Sequence, residues 1–245
     1  WQIGDKKLVS ENQRIIMSAL AAQTDVKRAE NLIGLGQMMM SFGYAQVAIG
    51  YFELAEQLLP DLSLSTEFQA SKSVAETLAG RSQDAFTTLS SSQLNNLEEI
   101  KYWKAYALAD LDDWQQAAAT LPSDLAILKT YPLDVLFPLA LKMAEISLRQ
   151  GEPSRAKTIL DIIAADNTAM SIPQKANFDY LRGEYSRQTG HPEESKELWG
   201  KLTSGADDFF RAKARFALSA LQLEKKEITI DKAIDNLEGL RYAWR

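Results

Sequence analysis

The sequence predicts an all-α chain built from antiparallel helix pairs, and three observations predict it. Apolar residues recur at three- and four-residue spacing along most of the chain, as one buried face of an α-helix requires. Strand signals, runs of β-branched and aromatic residues alternating with polar ones, are almost absent. Small residues fall at matched offsets around successive turns, which marks internal repetition.

Taken in order, residues 8–23 read as a leading helix, with Ser10-Glu11-Asn12-Gln13 as a capping box whose hydroxyl and amide satisfy free backbone donors. Residues 1–28 thus form a leading, capping segment, and residues 29–245 a series of helix pairs. The first pair is the clearest. Leu32, Leu35, Gly36 and Met39 share one helical face, Gly43 supplies the turn, and Ala48, Phe52 and Ala55 repeat the spacing before Pro60. Further turns follow at Gly80, Asp112, Gly151 and Gly190, each five residues ahead of a small residue: Ala85, Ala117, Ala156 and Ser195. Upstream, Gly36, Ala105, Ala144 and Gly183 each lie seven residues before their turn. The second pair departs from the pattern, with Lys72 and Ser73 where apolar or small residues are expected. Ser171-Ile172-Pro173-Gln174 and Ser204-Gly205-Ala206-Asp207 read as further helix starts of the capping-box kind. Ala212 to Leu223 and Lys232 to Leu240 read as a last pair, joined by the polar Glu224-Lys225-Lys226-Glu227 rather than a glycine turn.

This arrangement resembles the tetratricopeptide repeat, whose unit of roughly 34 residues places a large residue, a small residue, a turn glycine, an alanine, an aromatic, an alanine and a closing proline at these offsets. The resemblance covers residues 29–240 and is strongest in the first unit. It implies a right-handed α-solenoid of five to six helix pairs whose first helices line a concave, partner-binding groove. The closing stretch from Ala233, with Leu237-Glu238-x-Leu240-Arg241 and Tyr242-x-Trp244-Arg245, looks like a segment of long bacterial repeat proteins. The expectation is that these residues are part of a longer chain.

Composition narrows the chemistry. The 245 residues are 46% hydrophobic and 24% charged, an ordinary globular balance that can bury a large core. Acidic residues number 33 against 27 basic, for a net charge of −6, the wrong sign for a nucleic-acid surface. With no cysteine and one histidine there is no disulfide, no thiol nucleophile and no metal site needing two imidazoles. The absence of cysteine fits any compartment and leans toward an oxidising one such as a bacterial cell envelope. The longest apolar stretch, Leu133 to Leu141, is broken by Asp134 and Pro138 and is too short to span a membrane. No cofactor motif is present: Gly34-Leu35-Gly36 lacks the strand and third glycine of a dinucleotide loop, and no phosphate-loop Gly-Lys-Ser/Thr exists.

Isolated catalytic candidates reduce to structural readings. His191 sits in the Gly190-His191-Pro192 turn without a partner that would make it a general base. Ser154-Arg155-Ala156-Lys157 matches a serine–lysine motif formally but lacks its companion elements. The pairs Glu98-Glu99, Asp112-Asp113, Glu193-Glu194 and Asp207-Asp208 stand near helix starts, where negative charge favours the helix dipole.

Binding residues follow from the resemblance instead. Counted from each small residue, the family's groove positions land on Ile33, Gln37 and Met40; Tyr102 and Tyr106; Leu141, Glu145 and Arg149; and Asn177, Tyr180, Glu184 and Arg187. Tyrosine and arginine make good interface anchors, although Tyr102 and Tyr180 could equally pack between helices. The lysine and asparagine with which co-chaperones of the family grip a C-terminal carboxylate are replaced here by Ile33 and Gln37. The expected function is therefore a non-catalytic scaffold for a protein or peptide partner, with no metal, cofactor, nucleic acid or membrane insertion. The alternatives are the helical accessory region of a cell-wall lytic enzyme and a self-associating, homo-oligomeric scaffold.

Overall fold

The computed structural model describes residues 9–95 and 97–239. Among the described residues the regular structure is entirely helical. The α-helices are α1 (Val9–Leu20), α2 (Asp25–Ser41), α3 (Ala45–Leu58), α4 (Thr66–Leu78), α5 (Ser82–Leu89), α6 (Glu98–Asp110) and α7 (Trp114–Thr120). They continue with α8 (Leu133–Arg149), α9 (Pro153–Ala164), α10 (Ile172–Gln188), α11 (Pro192–Leu202), α12 (Asp208–Glu224) and α13 (Ile230–Glu238). The chain divides into two compact units, one running to Lys142 and the other starting at Met143, so the boundary falls within α8. Among the described residues, no helix is long and apolar enough to cross a membrane.

The turns share one backbone solution. Gly43, Gly80, Gly151 and Gly190 have φ between 72 and 80°, in the left-handed region where a missing Cβ removes the steric cost. Asp112 takes the same conformation at φ 64°, as its short polar side chain permits. At each of these turns the next residue's N–H donates to the carbonyl five positions back: Tyr44 to Met39, Arg81 to Glu76, Asp113 to Leu108, Glu152 to Ser147 and His191 to Ser186, all at 2.8–2.9 Å. The turn residue itself donates three positions back, which completes the Schellman closure of each first helix. A further turn, illegible in the sequence, joins α12 to α13. Lys226 adopts φ 59° and Glu227 donates to the Gln222 carbonyl at 2.8 Å.

Packing around these turns follows the small residues. Ala48, Ala85, Ala117, Ala156 and Ser195 are fully buried, as are Ala105 and Ala144. In the first unit, a Cβ on Gly36 would come within 2.6 Å of the Phe52 ring, and in the second a Cβ on Gly183 would come within 2.3 Å of Trp199 Nε1. Those glycines let α2 and α3, and α10 and α11, approach closely enough to bury both large rings completely. Ser73, which breaks the apolar pattern, is also fully buried and donates to the Gln69 carbonyl at 2.7 Å, so it fills the small-residue position. Lys72 beside it pairs with Glu56 at 2.7 Å. The second pair therefore packs like the others.

Two capping expectations shift. Ser171 and Gln174 do form a reciprocal capping box at the start of α10. At α12 the cap is Asp207, which accepts from the Phe210 N–H at 2.8 Å, because the chain turns through Ser204 and Gly205 before the helix begins. Ser10 lies inside α1 rather than ahead of it, and Gln13 donates its amide to the Tyr51 hydroxyl instead of closing a box. The Leu240–Arg245 part of the closing stretch, and the first eight residues of the leading segment, lie outside the described residues.

Candidate functional site

In each unit, alternate helices line a cavity. In the first unit, α2, α4 and α6 enclose about 600 Å³. Its floor is apolar, made by Met40, Val74, Ile100 and Trp103, and its rim carries Gln37, Glu67, Glu98 and Glu99. Local structure explains the rim. Ser65 caps α4 by accepting from the Phe68 N–H, which leaves Glu67 in the first turn, and Glu98 and Glu99 form the first turn of α6. Carboxylates are favourable there because they face the positive end of the helix dipole. All three are exposed, and no lysine or arginine lines the cavity. Glu99 is held by the Tyr131 hydroxyl, which donates to it, while Trp103 Nε1 donates to the same Tyr131 oxygen at 3.1 Å. Burial, followed by the Glu99 hydrogen bond, raises the Tyr131 phenol above its ordinary range, so it stays a donor.

In the second unit, α8, α10 and α12 enclose about 210 Å³, lined by Glu145, Leu148, Arg149, Tyr180, Leu181, Glu184 and Lys213. Its charges are mutually paired. Lys213 Nζ lies 3.2 Å from Glu145 and 4.5 Å from the centre of the Tyr180 ring. Arg149 reaches the same Glu145 at 3.3 Å. Arg187 makes a two-pronged bond to Glu184, at 2.9 and 2.6 Å, and Gln188 donates to both Glu184 and the Leu148 carbonyl at 2.8 Å. Tyr180 stacks on Trp199 with ring centres 5.9 Å apart, and burial, then Glu184 and Glu145, raise its phenol. The Glu184 bond correspondingly raises Arg187.

The structure thus brings Arg149, Tyr180, Glu184 and Arg187 together, and separately Gln37 and Met40. Met40 is buried in the cavity floor. Tyr102 is only 2% exposed and its hydroxyl donates to the Asp124 carbonyl, so of its two expected roles it fills internal packing. Tyr106 lies half-buried against Trp103 and under Lys142, whose Nζ is 5.2 Å from the ring centre and 2.7 Å from Asp110. Asn177 is half-buried, with its carbonyl oxygen shielded and unpartnered. Of the other groove positions, Ile33 is half-buried and Leu141 is in the core.

Sequence reasoning missed Glu67, Ala70, Val74, Glu99 and Lys213. The signal was present. About half of the first cavity's lining residues, and most of the second's, stand six or three positions before the small residue or one or four after it, the 3–4–3 step of one helical face. Counted from Ser73, that register gives Glu67, Ala70 and Val74; from Ala105 it gives Glu99; and from Ser219, seven residues before Lys226, it gives Lys213.

The acidic pairs do not converge. Asp113 and Asp207 are helix caps, Glu193 and Glu194 lie in the first turn of α11, and no group of three histidine or acidic side chains among the described residues could hold a metal. His191 is exposed in its turn, 3.1 Å from the Thr189 hydroxyl. Comparison with known proteins finds no family model that matches the chain and no curated protein that matches it.

Proposed function

We propose that this protein is a non-catalytic scaffold of the tetratricopeptide-like kind, a right-handed α-solenoid that holds a peptide or partner segment against its first helices. One observation carries the reading: two cavities, one in each unit, are lined by alternate helices, and Gln37, Val74, Glu145 and Glu184, each directly after a buried small residue, stand in their linings. A repeat that serves only packing has no reason to leave the polar Gln37, Glu145 and Glu184 partly exposed around an opening. Binding on such a face uses rigid helices, which lose little conformational freedom when a ligand is seated. Five recurring Schellman turns on the expected residues support the helix-pair repeat.

The test is a peptide-display library panned against the immobilised chain. Enriched peptides are expected to lose binding when Gln37 and Val74 are replaced together by larger polar residues, or when Arg149 and Glu184 are replaced by alanine. Replacing the exposed Gln46 and Val47 on α3, a second helix, should leave binding intact. Enrichment of nothing, or binding indifferent to both sets of cavity changes, contradicts the proposal.

A further inference from the structure

We infer that the cavity between α2, α4 and α6 selects a basic segment of a partner protein, one that places a lysine or arginine beside an aliphatic or aromatic residue. The inference rests on the scaffold reading and names the chemistry of the occupant. The floor supplies the apolar half of the recognition: Met40 and Ile100 are 3% and 4% exposed, and Val74 is 6% exposed, so a side chain entering the cavity meets hydrocarbon on three helices. Methionine adds adaptability, because its unbranched thioether adjusts to side chains of different shape.

The rim supplies the charge. Glu67, Glu98 and Glu99 come from two different helices and surround the opening, with no cation among the lining residues. Glu98 is paired with Lys101, which lines a neighbouring cavity that Glu98 also borders, so among the described residues Glu67 and Glu99 are the rim acids without an ion pair of this kind. Glu99 is fixed in place by Tyr131 beneath it, so its carboxylate is already oriented before a ligand arrives. A cationic side chain would complement this rim, whereas a carboxylate would meet like charge without a partner. The three acids do not gather into a metal-ligand cluster, which leaves the elongated, part-apolar side chains of lysine and arginine as the fitting class.

The contrast with the second unit strengthens the assignment. There, Glu145 and Glu184 are already neutralised by Lys213, Arg149 and Arg187. In the first unit only Glu98 has such a partner, Lys101, and the lining offers no cation to Glu67 or Glu99.

Fluorescence anisotropy decides it, with two labelled synthetic peptides of equal length: one alternating lysine with leucine, the other alternating glutamate with leucine. The full chain is expected to bind the basic peptide and not the acidic one. The triple variant Glu67→Gln, Glu98→Gln, Glu99→Gln, nearly unchanged in shape, should weaken basic-peptide binding by roughly tenfold, the sum of three exposed charge contacts. Ala70→Trp, which fills the cavity and keeps its charge, should remove binding; should that variant lose helicity by circular dichroism, the equally uncharged Ser71→Tyr serves in its place. If the basic peptide binds the filled cavity equally well, the attraction is to the chain's net negative surface, and the inference is overturned. If both peptides bind and both are displaced by filling, the scaffold reading survives and the basic class is wrong. If neither binds, the inference fails, and the display library judges the scaffold reading independently.

Discussion

The two units solve the same packing problem and finish it differently. Around Trp199, the second unit closes its cavity with ions that satisfy one another: Lys213 is clamped between Glu145 and the Tyr180 ring, and Arg187 is locked to Glu184. Around Trp103, the first unit leaves a larger, apolar-floored opening whose carboxylates stand exposed on its rim. Similar helix offsets can thus produce a narrow cavity whose charges pair among themselves or a wider one whose carboxylates face solvent. The difference lies in whether the opposing charge is supplied from within.

The largest test of that contrast is Trp199→Ala. Its indole is fully buried, donates to the Tyr180 carbonyl at 3.0 Å and carries the Tyr180 ring. Truncation should cost about 3–5 kcal/mol in urea unfolding, and a cost below about 1 kcal/mol would remove the indole from the centre of the second unit's core. Next, Lys213→Met should cost about 1.5–3 kcal/mol, because its charge-assisted bond to Glu145 is lost. No measurable loss would mean that the Lys213–Glu145 pair adds nothing to the fold of the second unit.

Gly36→Ala should cost about 1–3 kcal/mol by overpacking against the fully buried Phe52, read from the same unfolding curves. At the rim of the first unit, Glu98→Gln should change stability by less than about 0.5 kcal/mol, since an exposed i,i+3 pair contributes little. A larger loss would reclassify the rim as structural.

The helix pairs were legible because glycine and alanine carry their reason in their size. Gly36, Gly183 and the turn glycines are where a Cβ would strike an aromatic ring or where φ is positive, so their spacing alone located the turns. Ser73 and Lys226 were illegible for the same reason reversed. A serine that hydrogen-bonds its own helix can replace alanine, and a lysine can pay the left-handed cost when both Schellman bonds form around it. Missing those two residues removed α4 and α12 from the register, and with them Glu67 and Lys213. Tyr102 could not be assigned from sequence, because its role depends on the Asp124 carbonyl, which a loop brings to it from a distance along the chain.

Stability against pH separates a further feature of the first unit. Glu76, buried on α4, has its carboxyl raised, chiefly by burial and against the opposing pull of Lys72. A raised carboxylate pKa means that the folded state holds the proton more tightly than the unfolded chain, so its contribution is present at low pH and is lost as pH rises through the folded value. Glu76→Gln should therefore stabilise the protein more at neutral pH than at pH near 4, measured as the shift in urea midpoint. An equal shift at both would show that burial does not perturb the group.

The most direct test of the central claim is amide chemical-shift mapping by NMR while the lysine–leucine peptide is titrated into the full chain. Perturbations are predicted to concentrate on Gln37 and Met40, on Thr66 to Val74, and on Leu97 to Trp103. Shifts confined to α3, α5 and α7, or scattered over every exposed acidic residue, would contradict a partner site on the first helices.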